Sequence, residues 1–194
     1  MGGSIAKIVA LSTCSYTREV ELVRPSVEYQ DSYLAAMREF LREGKVERYK
    51  NFDLARVEKD FAGFVRQLCE MAEGKNLPDG YVPETHYWLV DKTEFVGRVS
   101  IRHSLTEKLL KEGGHIGYDI RPSLRGRGYG TRILHMALPH ARELGISRAL
   151  VTCDATNSAS RKIIERAGGV LENGIEAADG KPNKLRFWII PPNH

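Results

Sequence analysis

The chain predicts an α/β (α+β) fold over residues 19–194, and three observations carry that prediction. Segments with strand patterning are interleaved with segments of helical periodicity, beginning with one strand and ending with two. One strand runs into Arg125-Gly126-Arg127-Gly128-Tyr129-Gly130, with glycines at alternate positions, and then directly into a long amphipathic helix. The composition, 42% hydrophobic and 28% charged over 194 residues, suits one globular domain with a sizeable core.

In order along the chain, residues 20–24 read as the first strand, and Pro25-Ser26 opens a helix to about Glu43. Tyr29, Tyr33, Met37 and Phe40 are spaced for one face of it. A second helix covers about 54–73, and the stretch 74–83, with its glycines and prolines, is a loop. Residues 85–91 and 94–103 form a hairpin around Lys92-Thr93, with Trp88 at a core position. A polar loop through Gly113-Gly114 leads to a strand at 115–121. The helix at 130–144 carries Ile133, Leu134, Ala137, Ala141 and Leu144 on one face, and Gly145 ends it. Residues 147–154 read as a short buried strand, followed by a helix from about Ser160 to Ala167-Gly168-Gly169. Residues 170–176 and 184–190 are the last two strands, Trp188 among them, with Asp179-Gly180 turning between them.

The glycine turn has the chemistry of a phosphate cradle. Without Cβ atoms the backbone can approach a ligand closely, and the first N–H groups of the following helix, at the positive end of its dipole, face an anion. Arg125 and Arg127 are expected to add mobile positive charge beside them. A P-loop requires G-x-x-x-x-G-K-[ST], which occurs nowhere in the chain; a dinucleotide fingerprint requires a third glycine where Thr131 stands. The pattern [Q/R]-x-x-G-x-[G/A] is met by Arg125, Gly128 and Gly130.

With Asn157, Ser160 and the ordered elements around them, this turn resembles motif A of the GNAT superfamily, the acetyl-CoA-dependent N-acyltransferases. The resemblance extends from about Val20 to Ile190 and is densest over 115–170. It implies a central mixed, mostly antiparallel sheet of about six or seven strands, splayed between strands 4 and 5 and flanked by about four helices. It further implies acetyl-CoA as co-substrate. The coenzyme positions it carries over are Ile120, on a bulged fourth strand, then Arg125, Gly126, Arg127, Gly128, Tyr129, Gly130 and Thr131, with Asn157 and Ser160 beyond. The implied reaction is direct attack of a primary amine on acetyl-CoA in a ternary complex, the acceptor being a small molecule or a peptide or protein amine. A coenzyme-binding module without turnover is the alternative.

Such a reaction needs a proton acceptor, because a primary amine near pKa 10 is almost wholly protonated at neutral pH. It also needs a donor for the oxyanion, for which the resemblance implies the N–H of Ile120. The family's usual acid, a tyrosine seven residues after the Asn, is here Ile164, so Tyr118 is the substitute considered, against a plain core role. For the base the candidates are His115, Asp119, Glu112, His103 and Glu172. An imidazole near pKa 6.5 suits His115 to the task, although it equally suits a histidine closing the Gly113-Gly114 turn. Strand alternation pairs Asp119 with Arg121. Arg98, Ser100 and Arg102 share one strand face, where solvated arginines are expected over arginines that meet an acceptor's carboxylate or phosphate.

Other classes find less support. The formal net charge is +4, yet basic residues are mixed with acids and not interleaved with aromatics, so nucleic acid is not expected. Cys14, Cys69 and Cys153 make neither a disulfide framework nor a zinc site, and Cys153 reads as inert packing. His135 and His140 bracket Pro139 without metal-binding spacing, so no metal is expected. Residues 5–11 are apolar but too short to span a membrane, and residues 1–18 are taken as an N-terminal extension. A cytoplasmic monomer or homodimer is the default.

Overall fold

The computed structural model describes residues 20–45, 49, 52–176 and 182–192; the expected extension at 1–18 and the turn at Asp179-Gly180 lie outside them. Strands β1 (Val20–Val23), β2 (Glu84–Asp91), β3 (Glu94–Arg102) and β4 (Ile116–Ile120) form one sheet in the order β1-β2-β3-β4. Strands β5 (Ala149–Asp154), β6 (Val170–Ile175) and β7 (Lys184–Ile189) form a second, in the order β5-β7-β6. Every named pairing is antiparallel.

The helices are α1 (Gln30–Glu43), α2 (Leu54–Lys59), α3 (Phe61–Ala72), α4 (Glu107–Glu112), α5 (Tyr129–Glu143) and α6 (Ser158–Arg166). Two of them differ from the expected pattern for local reasons. The expected helix at 54–73 is broken at Asp60, whose carboxylate accepts the Gly63 N–H at 2.8 Å and starts a new helix. The expected polar loop before β4 contains α4, capped by Thr106, whose Oγ1 accepts the Leu109 N–H at 3.3 Å.

Two cores lie on opposite faces of the first sheet. Alternation along β2 and β3 sends Leu89, Val99 and Ile101 to one face, where Ile133, Leu134, Ala137 and Ala141 of α5 cover them. On the other face Trp88, Val90 and Phe95 pack against Tyr29, Tyr33, Met37 and Phe40, the predicted stripe of the first helix. Burial of these apolar side chains is the main stabilising term, at about 25 cal/mol per Å² removed from water.

The splay expected between strands 4 and 5 is present. An isolated bridge, Gly114 with Val151, joins the sheets just before β4 begins. There the His115 N–H donates to the Leu150 carbonyl at 2.7 Å, and the Leu150 N–H donates to His115 Nδ1 at 2.9 Å. Gly114 has φ +70, and a Cβ built on it would stand 2.5 Å from the Leu150 carbonyl oxygen. Only glycine combines that conformation with that approach. Beyond the bridge the strands diverge, and a cleft opens between β4, α5 and α6.

Candidate active site

The cleft has two adjoining cavities, of about 430 and 550 Å³, which share Lys45, Tyr118, Asp119, Asn157 and Ser160. Its upper wall is the turn into α5. Gly128 is the N-cap of that helix at φ 84, a left-handed conformation that an L side chain rarely adopts. Among the described residues the N–H groups of Gly126, Arg127, Gly128, Tyr129 and Gly130 have no intramolecular acceptor, so they form a run of donors at the positive end of the dipole. Thr131 differs: its N–H donates to the Gly128 carbonyl at 3.1 Å and is spent inside the first turn.

Of the two arginines of the turn, Arg125 is engaged by several neighbours. Arg125 Nε donates to the Ile120 carbonyl at 3.0 Å, its Nη1 meets Glu43 Oε1 at 2.6 Å, and its guanidinium lies over the Phe40 ring. Arg125 thereby ties α1 to the end of β4, and holds the Glu43 carboxyl below its ordinary pKa. Arg127 is exposed, with Nη2 3.3 Å from the Ser123 carbonyl.

The floor of the cleft is the free edge of β4. The resemblance implied a bulge here, but the β3–β4 ladder is in register from Ile116 to Ile120. What frees the edge is the divergence from β5. Alternate residues of an antiparallel strand turn their backbone groups to opposite sides. Since the Arg121 N–H donates to the Val96 carbonyl on the β3 side, Ile120 and Tyr118 turn theirs toward the cleft.

Across the cleft stands α6, capped by Asn157, whose Oδ1 accepts the Ser160 N–H at 3.0 Å. The Ser160 hydroxyl lies 3.0 Å from the Tyr118 hydroxyl. Burial pushes the Tyr118 phenol up to about 12, so it keeps its proton throughout the neutral range. Ile164, where the family's tyrosine was expected, is fully buried in the core beneath α6. Cys153 lines the second cavity, and burial pushes its thiol up to about 11, which keeps it protonated and unreactive.

Several expected proton-transfer candidates lie elsewhere or are already engaged. His115 does not line either cavity; its Nδ1 holds the Leu150 N–H, and burial, aided by Arg102, keeps the imidazole below its usual pKa. His103 Nε2 pairs with Thr85 Oγ1 at 2.8 Å, and Glu172 meets Arg186 at 3.0 Å. Glu112 borders the second cavity. Asp119 is paired with Arg98, Nε to Oδ2 at 3.5 Å, and not with Arg121, which is bound by Glu39 at 2.7 Å and Glu94 at 3.3 Å. The reason is register: Arg98 is the cross-strand partner of Asp119.

Arg98 and Arg102 are not the solvated arginines expected of that strand face, because α1 and α3 cover it. Their side chains are 16% and 18% exposed, and both line a third cavity of about 360 Å³. That cavity adjoins the cleft: Arg102 lines both, and Asp119 in the cleft receives the hydroxyl of Tyr49, from the third cavity, at 3.4 Å. Sequence reasoning missed Lys45, Tyr49, Glu84 and His86. The alternation of Glu84 and His86 with Trp88 on β2 is the signal that places them on one face.

The family model described as "Acetyltransferase (GNAT) domain" matches residues 22–170. The chain belongs to that family and is an enzyme of the acyltransferase class. No curated protein matches it. Among solved structures it is similar to the microcin C7 self immunity acetyltransferase MccE in complex with acetyl-CoA and AMP. That match has 16% identity and a TM-score of 0.65, and covers 89% of this chain and 92% of that one. A second is RimL, a ribosomal L7/L12 alpha-N-protein acetyltransferase in complex with coenzyme A, at 18% identity and a TM-score of 0.66, covering 88% and 93%. A third is Mycobacterium smegmatis RimJ, at 19% identity and a TM-score of 0.61, covering 88% and 80%. At these identities the likeness concerns the fold. No helix among the described residues is long and apolar enough to cross a membrane, and no cluster of metal-ligating side chains occurs among them.

Proposed function

We propose that the protein transfers an acetyl group from acetyl-CoA to an amine by direct attack in a ternary complex. The observation that carries this reading is the run of unpaired N–H donors from Gly126 to Gly130 at the head of α5, of which Gly126, Tyr129 and Gly130 line the cleft. Those donors suit a pyrophosphate, and the edge of β4 suits the amide-bearing arm of the coenzyme. Asn157 and Ser160 border the same cavity. The structural neighbours carrying acetyl-CoA or coenzyme A support the identity of the donor.

In this reading the Ile120 N–H polarises the thioester carbonyl and receives the oxyanion. Asp119, at the junction with the third cavity, accepts the ammonium's proton, directly or through water. The amine nitrogen attacks, the C–S bond breaks, and the thiolate takes a proton from the Tyr118–Ser160 hydroxyl pair, which is restored through water by the second N–H proton leaving the tetrahedral intermediate. Tyr118 stands in for the family tyrosine whose position Ile164 occupies. His115 serves as a bridge between the sheets.

The test is thiol release from acetyl-CoA across a panel of amines, with mass detection of the acylated product. An adduct of 42 Da on an amine supports the reading, by the mass arithmetic of replacing a proton with an acetyl group, roughly that value for any acceptor. Coenzyme binding without thiol release from any amine contradicts it.

A further inference from the structure

The third cavity, between α1, α3 and the β2–β3 face, carries information about the acceptor. Its volume, about 360 Å³, is that of a small-molecule site. Tyr33, Tyr49, Phe52, Phe64 and Trp88 wall it, while Arg98 and Glu84 supply charge at its floor.

One row of residues organises that floor. Trp88 on β2 is the cross-strand partner of Arg98 on β3, which is in turn the partner of Asp119 on β4. An aromatic plane, a cation and an anion therefore follow one another across the sheet, with the anion at the cleft. The cation is under-used. Arg125 spends its guanidinium on Glu43 and the Ile120 carbonyl, Arg121 on Glu39 and Glu94, and Arg102 donates to the Gly114 carbonyl at 3.0 Å. Among the described residues Arg98 has its 3.5 Å ion pair with Asp119, and its buried Nε makes no hydrogen bond. A guanidinium offers five donors, and a planar carboxylate can take two of them in parallel.

Glu84 is paired with its cross-strand partner Arg102 at 3.7 Å, and although it also feels the charge of Arg98, no direct ion pair joins the two among the described residues. An α-amino acid holds its ammonium and carboxylate on a single carbon. Arg98 and Asp119, side by side, offer the complementary pair of charges at that spacing, with the aromatic walls beyond.

We infer that the acceptor is a free α-amino acid with an aromatic side chain. Its carboxylate sits on Arg98, its amine on the Asp119 side facing the cleft, and its ring among Tyr33, Phe64 and Trp88. The inference rests on the acyl-transfer reading and names the substrate class of that site. A peptide N-terminus, which lacks the carboxylate, and a simple arylalkylamine fit the walls and leave Arg98 unsatisfied.

The experiment measures acetyl transfer to L-phenylalanine, L-tyrosine and L-tryptophan beside phenethylamine, L-phenylalanine amide and a phenylalanine-headed peptide. The expected result is a kcat/KM for at least one free amino acid roughly 100-fold above its decarboxylated or amidated counterpart, the range of a charge-assisted pair. Arg98→Met should remove that preference by raising KM for the free amino acid far more than for phenethylamine; Arg98→Lys, which keeps the charge and guards against misfolding, should restore part of it. Equal use of phenethylamine, the amide or the peptide by the wild-type protein overturns the inference. So does an unchanged preference in a folded Arg98→Met variant. If acetyl-CoA binds but no amine releases thiol, the acyl-transfer reading is what fails. Calorimetry of L-phenylalanine against the protein–coenzyme complex then decides this one, with no binding, or binding unaffected by Arg98→Met, overturning it.

Discussion

The hydroxyls of Tyr118 and Ser160 lie 3.0 Å apart and join β4 to α6 across the cleft. The Ser160 N–H is itself held by Asn157 Oδ1, so an ordered chain of polar groups runs from the end of β5 to the middle of β4. Residues linked in this way act as a unit, and their single deletions do not add. Tyr118→Phe and Ser160→Ala should each lower kcat for acetyl transfer about 10- to 100-fold, the lower part of the range for general acid assistance, since a thiolate leaves readily. The double variant should lose little more than the worse single one. Fully multiplicative losses in thiol-release kinetics would separate the two hydroxyls.

Asp119 is assigned the proton-accepting role by its position between the third cavity and the cleft. Asp119→Asn should lower kcat/KM about 100-fold near neutral pH while leaving coenzyme affinity unchanged. Because the variant must use amine that is already deprotonated, its rate should climb about tenfold per pH unit up to the acceptor's own pKa. A pH–rate profile parallel to that of the wild type would remove Asp119 from the role.

Gly114 is the point at which the two sheets touch. Gly114→Ala should cost about 2–4 kcal/mol, from a strained positive φ together with a backbone clash. Gly145, at φ +82 with no neighbouring atom within 4 Å of the place a Cβ would take, is the control: Gly145→Ala should cost about 1 kcal/mol. Denaturant midpoints at constant m-value measure both.

His115 makes the same junction sensitive to pH. Its native pKa lies below the ordinary histidine value, so the unfolded chain binds the proton first as pH falls. The contribution is complete above about pH 6.5 and is lost on acidification from there down through the native pKa. His103, also depressed by burial, acts with the same sign. His115→Ala should lower stability at pH 8 by about 1–3 kcal/mol, because the Leu150 N–H loses its acceptor. The variant should also show a shallower fall in Tm between pH 7 and 5. An unaltered pH dependence would contradict the bridging role.

Much of the fold could be read in advance because it is encoded in short-range patterns. The stripe Tyr29, Tyr33, Met37 and Phe40, the apolar face of α5 and the glycine turn all express local periodicity or local backbone needs. The break at Asp60 was hidden because an Asp inside a helical pattern becomes a cap only when its side chain turns back to the Gly63 N–H. The pairing of Asp119 with Arg98, and of Arg125 with Glu43, depends on strand register and helix docking between residues far apart in sequence. Alternation put Arg98 and Arg102 on one face without revealing that α1 and α3 cover it. The aromatic walls of the third cavity likewise come from four separate segments, and no single spacing brings them together.

The central claim is that the donors at the head of α5 hold the coenzyme, and calorimetric titration of acetyl-CoA into wild-type, Gly128→Ala and Gly128→Asp proteins tests it most directly. The expected result is binding to the wild type, modest weakening by alanine through the strained φ, and at least a roughly 100-fold loss with aspartate, whose carboxylate faces the same donors and repels the pyrophosphate. Equal affinity for folded wild-type and Gly128→Asp proteins would contradict it.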